Sequence, residues 1–338
     1  MSSPRYTVLV TGSSGHLGAA LMLTLPSLGH VPLGIDILPS ETTTTVGSIT
    51  DRTLVASVLA TNPTISHVLH AATLHKPHVD SHPKSAFIDT NITGTLVLLE
   101  EAAARLPQIK SFVFISTTST FGMALSPAPG QPAALIDESV TPLPKNIYGV
   151  TKCAAEDLCR LVHRQTKLPV VVLRTSRFFP EADDDPDRRA CMSDANLKVC
   201  ELAYRRADIA DVVSAVVCGM EKAAGLGWAR YIISAPPPFP PGDAETLQRL
   251  DADAGAVFRE VVPQCASVFE KLGWDFLGRL DRVYDSSRAV QELGWRPEWT
   301  FEKVVEKLAS GEDWRSELTH AVGRKGYHAV PTGVYTTR

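Results

Sequence analysis

Six cysteines (Cys153, Cys159, Cys191, Cys200, Cys218 and Cys265) are scattered through 338 residues, and no two form a C-x-x-C pair. That spacing excludes a disulfide framework and a cysteine-based zinc site, and suits a reducing, cytoplasmic compartment. Charge of one sign is also lacking. Thirty-three basic residues stand against 37 acidic ones, for a net charge of −4, with no pronounced block of either. Neither nucleic acid nor an anionic membrane has an electrostatic footprint here. Long apolar runs are missing too. Tyr6–Ile35 carries no Asp, Glu, Lys or Arg, yet it is interrupted by Thr11-Gly-Ser-Ser-Gly-His16, Pro26, His30 and Pro32. It holds no continuous apolar span of about 18 residues, so it is read as neither a signal peptide nor a membrane helix. There is no internal repeat, and Thr42–Thr45 reads as a plain loop.

What is present is globular. Apolar residues make up 44% of the chain and charged residues 21%, enough for a sizeable core. The length allows one large or two intimate domains. Short β-branched runs alternate with helical patterns, as in a parallel sheet covered by helices. Strands are expected at Tyr6–Val10, Val31–Ile35, His67–His70, Phe112–Ile115 and Val170–Leu173, with a short segment at Val46. Helices are expected at Gly15–Leu28, Asp51–Ala60, Ser85–Arg105, Tyr148–Gln165 and Asp211–Ala223. The proline-rich stretches Leu125–Pro144 and Ser234–Gly242 read as loops. Beyond the second the chain reads as mostly helical and charged, with turns at Gly273-Trp274 and Gly294-Trp295.

Val8-Leu-Val10 runs directly into Thr11-Gly12-Ser13-Ser14-Gly15-His16-Leu17-Gly18 and then a helix. Glycines at three-residue spacing between strand and helix let the backbone turn tightly and approach a pyrophosphate. The helix N-terminal amides and dipole then stabilise the anion. Asp36 ends the next strand, where a carboxylate accepts both ribose hydroxyls of an adenosine and repels a 2′-phosphate. No Arg or Lys follows it at once, so NAD is favoured over NADP as the cofactor.

Tyr148-Gly-Val-Thr-Lys152 opens a helix, placing Tyr148 and Lys152 one turn apart on one face. A phenol ionises near pH ~10 and is a poor base at neutrality, but a cation one turn away favours the phenolate. The strand Phe112–Ile115 delivers Ser116-Thr-Thr-Ser-Thr120 and Phe121-Gly122, a hydroxyl-rich end able to polarise a substrate oxygen.

In this order the motifs resemble the extended short-chain dehydrogenases/reductases, the NAD-dependent epimerase/dehydratase family. The resemblance covers nearly the whole chain. It comprises the Thr11–Gly18 loop, Asp36, His70-Ala-Ala72, Asn91-Ile-Thr-Gly-Thr95 with Leu98-Leu-Glu100, and Ser116–Gly122. It continues through Tyr148-x-x-x-Lys152 with Ala154-Ala-Glu156, Asp208-Ile-Ala-Asp211 and Leu293-Gly-Trp-x-Pro297. The resemblance implies a Rossmann-type doubly wound parallel α/β sheet with a small, mostly helical C-terminal substrate-binding cap. It divides the chain into an NAD-binding body at 1–179, a first cap segment at 180–207, a return to the body at 208–235, and cap with C-terminal helices at 236–338.

By the same resemblance Gly12, Gly15 and Gly18 form the pyrophosphate loop, with Ser13, His16 and Leu17 as intervening contacts. Asp36 holds the adenosine ribose, and Ile49 lies beside adenine, where Ser48 replaces the family's acid. Ala71 and Ala72 pass under the cofactor and Asn91 falls near the nicotinamide. Tyr148 and Lys152 are catalytic and contact the nicotinamide ribose. The catalytic hydroxyl lands on Thr117, with Ser116 and Thr118 one residue away. Phe121 replaces the family's usual Tyr. The implied chemistry is removal of a proton from a substrate secondary alcohol by Tyr148 as NAD takes the hydride.

Two regions depart from the pattern. Arg177 stands where nucleotide-sugar members carry a phosphate-binding Asn, and the segment from Pro180 to Arg205 is short, with an acidic run over 181–187. Arg177, Arg205 and Arg206 then either receive a phosphate or carboxylate of the substrate or pair with those aspartates. His67, His70, His75, His78 and His82 read as a polar loop or, at His75, a substrate contact; no metal is expected. The leading expectation is an NAD-dependent epimerase or dehydratase acting on a sugar-like secondary alcohol. The alternatives are a dehydrogenase or reductase of a small polyol or natural-product ketone, using NAD or NADP, and a non-catalytic NAD-sensing regulator. A homodimer through the helices Ser85–Arg105 and Tyr148–Gln165 is expected, with no nucleic-acid or membrane partner.

Overall fold

The computed structural model describes residues 5–123, 126–180 and 186–325. The described residues form eleven strands: β1 (Val8–Thr11), β2 (Pro32–Asp36), β3 (Thr45–Val46), β4 (His67–His70), β5 (Ser111–Thr117), β6 (Ala134–Ile136), β7 (Val170–Thr175), β8 (Arg177–Phe178), β9 (Arg206–Ala207), β10 (Trp228–Ile233) and β11 (Arg282–Tyr284). Seven of them make one parallel sheet in the order β10-β7-β5-β4-β1-β2-β3. The strand order reverses at β1, so a crevice opens at the C-terminal ends of β1 and β4, the usual ligand position in such sheets.

The helices are α1 (His16–Thr24), α2 (Arg52–Thr61), α3 (Lys84–Phe87), α4 (Gly94–Ala103), α5 (Ile147–Thr166), α6 (Pro186–Cys191), α7 (Asp194–Leu202), α8 (Ile209–Leu226), α9 (Ala244–Val261), α10 (Gln264–Leu272), α11 (Phe301–Ala309) and α12 (Glu317–Val322). Because β1, β5 and β7 are buried on both faces, their apolar runs are continuous rather than alternating. One core packs α1 and α8 against the sheet through Leu17, Leu21, Val212 and Val216. The opposite face packs α2, α4 and α5 through Val55, Leu98, Ala155 and Cys159. A third core lies off the sheet and joins Phe179, Val199–Tyr204 and residues from Phe239 to Trp314. Two buried aspartates near the start of α8 tie the later chain to the sheet. Asp208 accepts from Ser316 N at 3.0 Å and Thr319 Oγ1 at 3.0 Å, and Asp211 from Glu298 N at 2.8 Å and Trp299 N at 2.9 Å.

The seven-strand sheet matches the expected fold class, with local differences, the first being that its edge strand β10 was not among the strands expected from the sequence. The single helix expected over Ser85–Arg105 is instead α3, a π-helical turn at Ile88–Thr93, and α4. The fourth strand of the pattern, expected to end at Ile115, continues as β5 to Thr117, because Ser116 and Thr117 pair in register with Arg174 and Thr175. The proline-rich stretch after Leu125 contains the short β6, which pairs with β11 outside the main sheet; Leu125 itself lies outside the described residues.

Candidate active site

At the end of β1 the chain turns through Gly12, whose φ of +73° belongs to the left-handed region that glycine alone enters freely. A Cβ at Gly12 would lie 2.7 Å from Ala72 N, and one at Gly18 would lie 1.9 Å from Gly12 O. The loop is therefore pressed between the Ala71-Ala72 backbone and the first turn of α1. Side chains cap α2, α5, α7, α8 and α9 (Asp51, Asn146, Ser193, Asp208 and Asp243), but Gly15 leads into α1 with no side-chain cap and no acid in its first turn. First-turn amides have no partner within their own helix, so this terminus could receive an anion. Leu17 packs its side chain into the core, so only its backbone faces the loop. Ser13 is buried, with Oγ 3.3 Å from Thr43 Oγ1, and His16 Nε2 accepts from Lys325 N at 2.8 Å. Asp36 stands across the loop at the end of β2, accepting from Ser14 N at 3.0 Å and Leu38 N at 2.9 Å.

The loop after β4 is held from two sides. Thr11 Oγ1 lies 2.8 Å from His70 Nδ1 and accepts from Ala72 N at 3.2 Å, while His70 Nε2 lies 2.9 Å from Thr95 Oγ1. Thr95 donates its hydroxyl to Asn91 O at 2.7 Å, so it accepts from His70, and the imidazole carries its proton on Nε2. Burial, with the neighbouring Lys152 charge, holds that ring well below the usual histidine range and keeps it neutral. Asn91 was expected beside the nicotinamide. Its side chain is hydrogen-bonded on every side within the protein: Oδ1 accepts from Thr73 Oγ1 and Leu74 N, and Nδ2 donates to Leu74 O and, at 3.0 Å, to Thr151 Oγ1. It pins the 71–75 loop to α5. Ile49 fills the space above Gly94, where a Cβ would meet its side chain at 2.7 Å.

Asn146 caps α5 by accepting from Gly149 N at 3.0 Å, which sets the helix start one residue before Tyr148. Tyr148, Lys152, Ala155, Glu156 and Cys159 then form its buried face. Tyr148 is 8% exposed and Lys152 2%. Lys152 Nζ donates to Ile115 O at 2.6 Å and lies 4.0 Å from the Phe114 ring centroid. Burial lowers its pKa to about 7 against the opposing pull of Glu156 and Cys159.

The three hydroxyls at the end of β5 separate by strand alternation. Ser116 turns inward and donates to Glu156 Oε1 at 2.5 Å. Thr117 faces the other way, 8% exposed; its Oγ1 accepts from Ser119 N at 3.1 Å, and its hydroxyl hydrogen meets no acceptor among the described residues. Thr118 opens the following 3-10 turn. Phe121 is fully buried under the Arg174 guanidinium at 4.9 Å, so a tyrosine hydroxyl there would sit in the protein interior.

On the expected substrate side, Arg177 pairs in β-register with Arg206. Arg206 is buried, with Nε donating to Glu201 Oε2 at 2.7 Å, and Arg205 Nε donates to Glu201 Oε1 at 2.8 Å. Burial pushes the Glu201 carboxyl up, but Arg205, Arg206 and Arg177 outweigh it and leave it well below the usual range. Among the described residues, Arg205 and Arg206 both pair with Glu201. Of the acidic run offered as the alternative, 181–185 lie outside the described residues. His75 opens a 3-10 turn, where its N donates to His78 Nδ1 at 3.0 Å, and the rings of His75, His78 and His82 stack edge to face. No cluster of three or more His, Cys, Asp or Glu able to hold a metal occurs among the described residues.

Residues 8–225 match the model of the NAD dependent epimerase/dehydratase family. The chain belongs to this family. Among its relatives, the UDP-glucose 4-epimerase of Rhizobium leguminosarum bv. trifolii is 32% identical over 194 residues, 54% of this chain and 54% of that protein. The chain therefore spans about half the length of the first such relatives it matches. The human dTDP-D-glucose 4,6-dehydratase is 26% identical over 295 residues, 81% of this chain and 75% of that protein. Among solved structures, the UDP-glucose 4-epimerase from Brucella ovis in complex with NAD superposes with a TM-score of 0.60 at 18% identity, covering 90% of this chain and 98% of that one. At that identity the likeness shows the shared fold.

For a member of the epimerase/dehydratase family, the part of the site hardest to read from sequence is the ionic cluster behind α5. Arg174 grips Glu156 through Nε at 3.0 Å and Nη2 at 2.7 Å, and Arg230 Nη1 reaches the same carboxylate at 3.3 Å. Two signals could have found it: a carboxylate on the core face of α5, and an arginine inside the apolar strand Val170-Val-Val-Leu-Arg174.

Proposed function

We propose that the chain is an NAD-dependent enzyme that oxidises a sugar-like secondary alcohol, with Tyr148 as the base, and works as an epimerase or dehydratase. The observation that carries this reading is a continuous path of contacts. The Gly12 turn rests on Ala72, the loop after Ala72 is pinned by Asn91 to Thr151 on α5, and Lys152 on α5 holds Ile115 beside Thr117. Cofactor loop, base and hydroxyl donor are thereby fixed to one another. The residues fit NAD: an uncapped helix start and a close-packed glycine turn suit the pyrophosphate, with Gly12, Gly15, Gly18 and the backbone of Ser13, His16 and Leu17 around it. Asp36 would take the adenosine ribose, and Ile49, Ala71 and Ala72 would line the adenine and underside. NAD, when bound, supplies the hydride acceptor.

The protein handles the proton. Tyr148 removes it from the substrate hydroxyl, and the Lys152 ammonium one turn away favours the phenolate. Thr117 donates its unengaged hydroxyl hydrogen to the same substrate oxygen, with Thr118 next to it. Arg177 and His75 are assigned to the substrate side, which we place in the segments 180–207 and 236–338 around the third core; 1–179 and 208–235 form the NAD-binding body. The relatives' names direct the first assay to UDP-glucose. The full chain, supplied with NAD, is expected to interconvert UDP-glucose and UDP-galactose without accumulating NADH. Tyr148→Phe should lower turnover by about 10²–10⁴-fold. Stoichiometric NADH would instead support the dehydrogenase reading, and full turnover by Tyr148→Phe would remove the base. We also propose a homodimer through α4 and α5.

A further inference from the structure

The buried face of α5 reads Tyr148, Lys152, Glu156 at one-turn intervals, while the end of β5 reads Ile115, Ser116, Thr117. The two series are clamped together. Lys152 takes the carbonyl of Ile115 at 2.6 Å and Glu156 takes the hydroxyl of Ser116 at 2.5 Å. The residue that follows is Thr117. Glu156 also accepts from Arg174 on β7 and Arg230 on β10, so one carboxylate from α5 fastens three adjacent strands. Thr175 Oγ1, also on β7, donates to Ser116 O at 3.1 Å and fixes the same strand end.

A purely structural account of this cluster is weak on energetic grounds. Burying ions costs free energy comparable to what their pairing returns, and apolar residues of similar volume often serve stability as well or better. Glu156 is nearly fully buried one turn from a buried lysine. Its negative charge opposes the loss of the Lys152 proton that burial promotes. We propose that Glu156 is a positioning residue for the reaction: with Lys152 it holds residues 115 and 116, sets Thr117 opposite Tyr148, and keeps the Lys152 ammonium charged beside the phenol. This rests on the reading of Tyr148 as the base. The other titratable groups around Lys152 are Tyr148 and Cys159 on α5 and His70 on β4, and burial keeps both Cys159 and His70 neutral.

The test needs no substrate. In the NAD-loaded full chain, the ultraviolet phenolate titration of the wild type minus that of Tyr148→Phe isolates Tyr148. Glu156→Gln removes the charge, lets Lys152 lose its proton more readily, and should move that titration up by about 0.5–1 pH unit. Glu156→Asp keeps the charge but draws it back by one methylene, and should move it in the same direction by less. A structural role alone would lower the melting temperature of both variants and leave the titration where it was; that result overturns the proposal. If Glu156→Gln does not fold, Glu156→Asp decides by the same criterion. The two readings fail differently. If the difference titration shows Tyr148 ionising in the ordinary phenol range, the base assignment falls and this inference with it. A lowered Tyr148 titration that neither Glu156 variant moves removes this inference alone.

Discussion

An ammonium held at 2% exposure inside a helix–sheet interface costs free energy, and in Lys152 that cost is visible as a pKa brought from 10.5 to about 7. At about 1.4 kcal/mol per pH unit the displacement amounts to a few kcal/mol, more than the ~1 kcal/mol returned by its one bond to Ile115 O. Lys152→Met keeps the length and removes the charge. The ligand-free variant is expected to be more stable than the wild type by about 1–4 kcal/mol near neutral pH. The sign follows from linkage. The native state binds fewer protons than the unfolded one between about pH 7 and 10.5, so wild-type stability rises with pH across that window. The advantage of Lys152→Met should therefore be full below about pH 7 and fade towards pH ~10, as thermal melts at a series of pH values will read. A variant that is less stable at every pH would mean the lysine is there for packing. Tyr148 and Lys152 were legible in the sequence because helix periodicity alone puts them on one face. Ser116, Thr117 and Thr118 were not separable, since what distinguishes them is Glu156, a partner 40 positions after Ser116.

At the scale of elements, the π-helical turn at Ile88–Thr93 shows where sequence pattern falls short. One extra residue in a turn leaves the apolar spacing nearly intact, yet it aims Asn91 at Leu74 and Thr151, and such turns gather at functional sites. Most strands of the sheet were readable from their continuous apolar runs; β10 was not, because the half-buried Trp228 and Arg230 interrupt its pattern, and the two-residue strands β8 and β9 bury too little to announce themselves. The outer face of α5 carries a further consequence. Val150, Ala154 and Leu161 recur at helical spacing along it, and Val150 and Leu161 are 48% and 46% exposed, as is Ile88 beside α4 at 45%. An apolar stripe of this kind on paired helices suits a second copy packed across a twofold axis. Sedimentation should give twice the chain mass for the wild type and one chain mass for Leu161→Arg, with the melting temperature of the monomer little changed. A wild-type mass of one chain would rule out the dimer.

Across the whole molecule, the sheet's order reversal gathers the C-terminal ends of β1, β2 and β4 into one crevice, and Asp36 stands at its rim. Ligand that binds only the folded chain stabilises it by RT ln(1 + [L]/Kd), about 2.7 kcal/mol at a hundredfold excess over Kd. The Asp36 carboxylate already accepts two backbone N–H groups, from Ser14 and Leu38, which fixes its oxygens in place and prevents it from swinging aside. A 2′-phosphate brought to that position would meet a like charge with no arginine or lysine among the residues just after it, Ile37-Leu38-Pro39-Ser40. NAD should therefore raise the melting temperature by several degrees and NADP at equal concentration by much less. Asp36→Ala should shrink the NAD effect and narrow the gap between the two, because attraction and repulsion are removed together. Equal shifts from NAD and NADP in the wild type would show that Asp36 does not face the ribose. A shift from neither would remove the assignment of this crevice to a dinucleotide.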